Sequence, residues 1–451
     1  GTMKPDAELT PSRRSPAREH SLVRMLRRVA QLETNARRAS ARFTTWRLAI
    51  FAVGLFGSII PHKLGWTLLG NATLAFSFML FLIVARHHNR LEDRLHRLRR
   101  WQGIKQVHLA RMRLSWADSP FRRVPVPERH GYATDLDLAG PHSLLHLINN
   151  TVSSQGQERL ASWLFDQPPE PAQWAVRQAL IRELTPLSLL RDRLSLEAQA
   201  VEDADIDGRR LLAVLQKRVD SPSFMPMLLT ETFLALATAG LMLTDLVYGI
   251  GNYWMLSFGL YAFLFLSVRS RSEEIFDHAQ SLHRQLERLS AVIGYLERRS
   301  YRAAPRLAEL CRPLLQQDTS PSTSLKQAAS LMNRLSVRAQ PLVHYLINAF
   351  GPWDLYHTYR LQHLQDRIAT VAPQWFELLA ELDAASSLAT FAYLHPDYPW
   401  PSLQQPDDAR LNGAGPILDA QGLAHPLIPA KARVANHIVL QERGRMFLVT
   451  G

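Results

Sequence analysis

At 451 residues, the chain is long enough to form two or three domains and to bury a sizeable hydrophobic core. Its formal net charge is +12, from 52 Lys and Arg against 40 Asp and Glu, and this excess favours an anionic partner, either nucleic acid or the inner leaflet of a membrane. The only cysteine is Cys311, which excludes an internal disulfide bond and any Cys-based zinc site.

The chain begins with a basic arm that leads into an apolar hairpin. Residues 1–45 are rich in arginine and predict a helical arm. Residues 46–60 and 66–85 are nearly free of charge and are separated only by the segment PHKLG. A membrane-spanning helix needs about 20 apolar residues, with a lower limit of about 17, so this stretch predicts a transmembrane hairpin. The residues that follow, 86–130, predict a helical linker.

A second apolar pair, residues 233–250 and 253–268, predicts a second transmembrane hairpin. Arginine and lysine flank both hairpins, whereas Lys63 is the only charged residue in the two short turns. The positive-inside rule then predicts a multi-pass protein of the inner cell membrane, with four spans and both large soluble parts in the cytoplasm. We expect Glu231 and Asp245 at the membrane interface, because both lie near predicted span ends. The alternative is two buried hairpins in the core of a soluble helical protein.

The rest of the chain predicts mostly helices, followed by short strands. Apolar residues recur every three or four positions over residues 273–298, which predicts one long helix, either a lever or an ordinary packed helix. A Pro/Ser/Thr loop is predicted at 318–324, and helices resume until the Pro-rich segment 395–416. From about Ile417 the residues become typical of β-strands, and the chain ends in the apolar run RMFLVTG, residues 445–451.

The search for catalytic and metal-binding motifs gives negative results. The chain contains no GxGxxG, HExxH or GxSxG motif and no spaced set of Cys and His. Its adjacent or closely spaced histidines have poor spacing for metal ligands on a helix, so we predict no catalytic residue and no metal site. Asp135 and Asp137 have the spacing of a strand with both carboxylates on one face, which favours a solvated strand edge over an acid/base pair.

Two stretches of sequence resemble the MutS family of mismatch-repair ATPases. Residues 131–168 are similar to the family's aspartate-leucine strand and the helix pair that follows it, and residues 175–194 continue the similarity. Near the end, residues 424–451 resemble the approach to the family's ATP site, and residues 381–401 resemble the helix that returns from its lever arms. The matching positions of the helix pair are Ser143, Leu144, Leu145, Asn149, Thr151, Gly156, Arg159, Leu160, Trp163 and Leu164.

The resemblance implies a mainly α fold, in which a MutS-like helical core and lever domain carries two transmembrane hairpins. The first β segments of a P-loop ATPase domain would follow. The implied boundaries are 1–45 for the basic arm, 46–85 for the first hairpin, 86–130 for the linker, 131–225 for the first part of the core, 226–268 for the second hairpin, 269–400 for the lever and second part of the core, and 401–451 for the start of the ATPase domain.

The resemblance also implies a nucleotide site near the end of the chain. Gly451 would be the first glycine of a Walker A loop. Arg433 is at the position where relatives often stack an aromatic ring on adenine, and Val434 follows it. ATP and Mg²⁺ are the implied cofactors, and a homodimer is expected once the ATPase domain is complete. The Walker A lysine, Walker B and signature loop are not among the 451 residues, so we expect no ATP hydrolysis and no tight ATP binding by this chain.

The sequence therefore predicts the N-terminal part of a membrane-anchored, MutS-like ATPase of the DNA mismatch repair family. DNA binding would use a basic surface, because the Phe-x-Glu wedge that relatives insert into mismatched DNA has no counterpart here. Two alternatives stay open. One is a membrane scaffold without ATPase activity, and the other is a small transporter, which only the four predicted spans suggest.

Overall fold

The computed structural model describes residues 14–124, 133, 135–166, 169–199, 207–216, 224–249, 251–316, 320–335, 340–403 and 418–441. Thirteen α-helices and two short β-strands occur within these residues, which confirms the prediction of a mainly α protein. The chain divides into two compact units. One comprises Gly1–Ile148 together with Thr390–Gly451, and the other comprises Asn149–Ala389. Each unit contains an apolar helical hairpin at a position that the sequence predicts.

The hairpin of the first unit consists of α1 (Arg14–Lys63) and α2 (Thr67–Met112). Ser77 donates its hydroxyl hydrogen to the carbonyl oxygen of Ile50 at 2.8 Å. A Cβ added to Gly54 would lie only 2.0 Å from the Ser77 Oγ, so the two helices approach each other closely at small residues. Such close approach is typical of helices that pack within a membrane.

The same two helices have different surfaces along their length. Around the turn the apolar side chains face outward, and Leu68 is 85% exposed. Farther from the turn, α1 and α2 are joined by ion pairs, Arg99–Glu33 at 3.0 Å and Arg113–Glu19 at 2.7 Å. One end of the hairpin is therefore suited to lipid and the other to water.

The rest of the described part of the first unit consists mainly of short elements. It contains a 3₁₀ turn, α3 (Leu144–Ile148) and two antiparallel strands, β1 (Leu418–Leu423) and β2 (Asn436–Leu440). Leu418 is paired with Leu440, and the register shifts before Leu423, as at a β-bulge. Both strands lie where the sequence predicts short β segments.

The described residues of the second unit form ten helices. They are α4 (Ser154–Phe165), α5 (Pro171–Leu184), α6 (Ser188–Ala198), α7 (Gly208–Gln216), α8 (Phe224–Tyr248), α9 (Trp254–Glu297), α10 (Pro305–Leu315), α11 (Pro321–Leu335), α12 (Pro341–Phe350) and α13 (Trp353–Leu394). The residues of α13 beyond Ala389 belong to the first unit. Trp375 of α13 is 1% exposed and lies in a core of aliphatic side chains. Burying such a side chain contributes about 1.5–3 kcal/mol.

The predicted long helix over 273–298 forms the second half of α9. Among its predicted apolar positions, Leu286, Leu289 and Ile293 are each 0% exposed in the core of the second unit. The prediction of a helix is confirmed, and α9 is packed into the core from Leu286 onward.

The predicted loop at 318–324 is shorter in the structure, because α11 already begins at Pro321. Proline favours the first position of a helix, since its missing N–H would have no partner there. The Glu297 carboxylate then accepts hydrogen bonds from the Ser320 hydroxyl at 2.8 Å and from the Ser322 N–H at 3.0 Å. This carboxylate stabilises the start of the helix, which the Pro/Ser/Thr composition alone does not reveal.

Three helices in the described part of the chain are long and apolar enough to cross a membrane, and they include α1, α2 and the stretch Met225–Tyr248 of α8. The first part of α9, Trp254–Ser267, is a shorter apolar helix. In α8, Leu246 is 84% exposed, so the apolar surface is not buried inside the protein. The structure is therefore that of a membrane protein with two apolar hairpins, one span of which is short.

Candidate functional site

One carboxylate of the second unit binds the backbone within the stretch 131–168 that carries the family resemblance. Asp383 of α13 accepts hydrogen bonds on Oδ2 from the Val152 N–H at 3.0 Å, the Ser153 N–H at 3.0 Å and the Ser153 hydroxyl at 2.7 Å. Ser153 in turn caps α4 by accepting the Gly156 N–H at 3.0 Å. A negative charge at a helix N-terminus is stabilised by the helix dipole. We call this group, Asp383 with residues 152–156, the Asp383 clamp.

Gly156 is required by the close approach of α4 to α13. A Cβ at this position would lie 2.2 Å from the Asp383 Oδ2 and 2.7 Å from its Cγ. Real Cβ atoms do not come this close, so any other residue would push the carboxylate away from its three donors. The glycine of the motif is therefore explained by packing against Asp383.

The next turn of α4 is held by charge. Arg159 forms ion pairs with Glu377 and, at 3.3 Å, with Glu381, both on α13. Burial raises the pKa of Glu381, whereas the nearby guanidinium groups of Arg159 and Arg177 lower it. Arg177 of α5 lies 4.2 Å from the centre of the Trp163 ring, a cation–π contact.

Two further motif residues hold the backbone that enters the clamp. The Asn149 Oδ1 accepts hydrogen bonds from the Thr151 N–H at 3.2 Å and from the Thr151 hydroxyl at 2.7 Å. The Asn150 N–H donates to the Ser387 hydroxyl at 3.1 Å. The arrangement joins two segments that are more than 200 residues apart in the sequence. Its hydrogen bonds hold these segments together, so the arrangement is a structural joint.

The predicted nucleotide residues lie in the first unit. Arg433 precedes β2, and its guanidinium donates to the carbonyl oxygens of Ile428 at 2.7 Å and Pro426 at 3.2 Å and to the Tyr398 hydroxyl. Val434 is 74% exposed beside it. The third predicted residue, Gly451, lies outside the described residues, as does the terminal run 445–451. Adenine stacking on Arg433 stays a prediction, and three protein groups already hold its guanidinium.

An aromatic cluster supports Arg433. The His395 ring lies 4.8 Å from the Phe391 ring and 4.9 Å from the Tyr398 ring, and the Arg433 guanidinium lies 5.5 Å from the Tyr398 ring. Burial, together with the positive charge of Arg433, lowers the pKa of His395 to about 4. His395 is therefore neutral near pH 7 and acts as part of the packing.

A basic pocket lies between α11 and α13 in the second unit. It encloses about 370 Å³, and its lining includes Arg334, Arg360, His363 and Arg367 but no acidic side chain. Arg360 also lies over the Tyr356 ring at 5.8 Å. Several guanidinium groups around one cavity favour a phosphate or another polyanionic group.

Asp135 and Asp137 differ from their prediction as a strand. They lie in a turn, and Asp137 has a φ of 46°, so the two carboxylates do not share a strand face. The Leu144 N–H donates to the Asp137 carbonyl oxygen at 2.8 Å, and this bond closes the loop that leads into α3. Among the residues that the structure describes, no group of three or more His, Cys, Asp or Glu could hold a metal ion.

The sequence analysis missed the residues on α13. Asp383 could have been noticed at the start of the small and apolar helical segment 384–394, since a charge beside such a segment needs a partner when it is partly buried. Arg360, His363 and Arg367 have spacings of three and four, which places them on one face of a helix. No periodicity could have shown which other segment each face contacts.

No family model, curated protein or solved structure matches the chain. The resemblance to the MutS family therefore rests on the quoted sequence motifs alone. Membership of that family stays a prediction.

Proposed function

We propose that the chain is the N-terminal, membrane-anchored part of a MutS-like ATPase that acts on DNA. The observation that carries the proposal is the Asp383 clamp. The clamp joins the stretch 131–168, which resembles the family's helical core, to the stretch 381–401, which resembles its returning helix. The two stretches are far apart in the sequence. Gly156 and Arg159 of the first stretch lie against Asp383 and Glu381 of the second, and this contact supports the proposal.

The long helices suit the mechanical role that this function requires. α9 has 44 residues and α13 has 42. At 1.5 Å per residue, each is about 65 Å long. Since the Asp383 clamp fixes α4 to α13 by charge-assisted hydrogen bonds, a displacement of one of these helices would be transmitted to the other. In this proposal, nucleotide-driven movement reaches the membrane hairpin through this joint.

The basic pocket is the proposed contact with DNA. Its arginines would neutralise phosphates of the backbone, and such contacts position a duplex without reading its sequence. Affinity should therefore fall steeply with salt and should be the same for matched and mismatched duplexes.

ATP binding by a longer form of the protein tests the proposal. The test compares this chain with a form that continues beyond Gly451, using equilibrium dialysis with ATP. We expect micromolar binding by the longer form only, lost when the lysine of its phosphate-binding loop is replaced, with membrane insertion unchanged. No binding by the longer form would contradict the ATPase and favour a membrane scaffold instead.

DNA binding is tested separately by charge reversal in the basic pocket. Arg334→Glu combined with Arg360→Glu should weaken binding and reduce the slope of log affinity against log salt by about 2, since each lost phosphate contact reduces it by about 0.9. Arg302→Glu, at an exposed residue outside the pocket, is the matched control. Equal effects of the two changes, or tighter binding to a mismatched duplex, would contradict the proposed contact.

A further inference from the structure

The short helix α12 has an inverted surface. Its apolar side chains Val343, Leu346 and Phe350 are 39%, 62% and 84% exposed, whereas its polar side chains His344 and Asn348 are only 6% and 2% exposed. A helix on the surface of a water-soluble protein has the opposite arrangement, with apolar residues toward the core and polar residues outside. Contact of the exposed apolar face of α12 with water is therefore unfavourable.

The buried polar side chains of α12 are satisfied by one another and by the start of α13. His344 Nε2 and the Asp354 carboxylate are joined by a hydrogen bond. The Asn348 Nδ2 donates to the His344 carbonyl oxygen at 2.9 Å, and the Asn348 Oδ1 accepts the Asp354 N–H at 3.0 Å. A polar network of this kind is stable away from water, because its members have partners.

The inverted pattern continues into the second hairpin. In α9, Tyr261 is 3% exposed and donates its hydroxyl hydrogen to the Asn348 carbonyl oxygen, and the Phe265 ring lies 6.0 Å from the His344 ring. α12 is therefore packed against the apolar part of the hairpin itself.

The neighbouring helix α8 has the same organisation. Its carboxylate residue Glu231 is 2% exposed, whereas Leu229, Phe233 and Leu236 around it are 59%, 70% and 68% exposed. Since α8 is long and apolar enough to cross a membrane, lipid is the medium that covers its outer face. The exposed face of α12 continues this surface.

We propose that α12 lies in the lipid bilayer beside the second hairpin, with lipid against Val343, Leu346 and Phe350. Its 10 residues measure about 15 Å, about half of the 30 Å hydrocarbon core, so α12 enters the bilayer without crossing it. Hydrogen bonds bridge the break at Gly351 and Pro352, from the Trp353 N–H to the Gly351 carbonyl oxygen at 2.7 Å and from the Asp354 N–H to the Asn348 Oδ1 at 3.0 Å.

The start of α13 marks the return to water. Trp353 and Tyr356 are the residue types that favour the membrane interface, and Arg360 follows one turn later. Residues 341–353, which the sequence places in a soluble lever region, therefore belong to the membrane part. This inference does not depend on the ATPase proposal.

The proposal is tested with nitroxide side chains on the full chain in liposomes. The only cysteine is first removed as Cys311→Ala, and single cysteines are then introduced as Leu346→Cys and Phe350→Cys. Collision with oxygen, which is enriched in lipid, is compared with collision with a water-soluble nickel chelate. The references are Leu236→Cys, 68% exposed within α8, and Glu309→Cys, exposed on the soluble helix α10.

We expect the ratio of oxygen to nickel collisions at positions 346 and 350 to match position 236 and to exceed position 309 several-fold. A ratio like that at 309 would show that water covers α12 and would overturn the proposal. Low collision with both reagents would show that protein covers it, which would overturn the proposal as well. A lipid-soluble photolabel on the unaltered chain gives a second readout, in which peptides of α8 and α12 are labelled and those of α10 are not.

Discussion

Two polar clusters of the second unit have opposite surroundings. In the Asp383 clamp, a carboxylate binds the end of a helix beneath a charged surface formed by Arg159 and Glu377. In the cluster around His344 and Asp354, the polar groups are inside and large apolar side chains are outside. In both networks the buried polar groups have hydrogen-bond partners, so their burial does not show whether water or lipid surrounds that part of the protein. The outer surface does show it, because a contiguous patch of large exposed apolar side chains requires lipid or another protein.

Removal of the clamp carboxylate has the largest expected effect. Asp383→Ala would leave two backbone N–H groups and a hydroxyl without their acceptor, which should lower the free energy of unfolding of the second unit by about 3–5 kcal/mol. Chemical denaturation followed by circular dichroism measures it. Asp366→Ala, at an exposed position of the same helix, should change it by less than about 0.5 kcal/mol. Equal stability of the two variants would show that the clamp does not hold α4 to α13.

Gly156→Ala should destabilise the second unit by about 1–3 kcal/mol, because its Cβ would displace the Asp383 carboxylate. The loss should shrink when Asp383→Ala is also present, since the two changes affect one contact. Gly103→Ala in α2, with nothing within 4 Å of the added Cβ, should instead stabilise its helix by about 0.5–1 kcal/mol. Additive losses for the pair at 156 and 383 would contradict the close approach.

A charge on the outer face of the membrane-side cluster is the converse experiment. Leu346→Lys should lower the stability of the protein in nanodiscs by about 1–3 kcal/mol, since it would place an ammonium group in lipid. Leu189→Lys is the matched change on α6, where the leucine is 74% exposed, and should stay within about 0.5 kcal/mol. If both substitutions are neutral, the outer faces of the two regions do not differ in solvent.

The smallest expected effect is a pH dependence from Glu381. Because burial raises its folded pKa above the usual 4.5, this group contributes stability at pH values below 4.5 and loses it as the pH rises through the folded pKa. Glu381→Gln should therefore flatten the fall in stability of the second unit above pH 4.5. Glu309→Gln, at an exposed glutamate, should leave the profile unchanged. An unchanged profile for Glu381→Gln would show that Glu381 is not buried as described.

Much of the local structure could be predicted, because it depends on patterns within a few turns of helix. The apolar runs at 46–85 and 226–268 form helical hairpins, and the periodic stretch 273–298 is helical. The loop at 318–324 was predicted too long, since the carboxylate that stabilises its helix start comes from Glu297, at the end of another helix. The strand predicted around Asp135 is a turn, because its backbone is closed by α3 rather than by a neighbouring strand.

The sequence by itself determined the helical content, the two apolar hairpins and the basic character of the chain, since composition and periodicity are properties of neighbouring residues. Only the tertiary structure decided that Asp383 binds the backbone at Val152, 231 positions away, because no local pattern specifies a partner at that distance. It also decided that α12 turns His344 inward and Leu346 outward. A helical pattern shows that two faces differ, but packing against a neighbour selects which of them is buried.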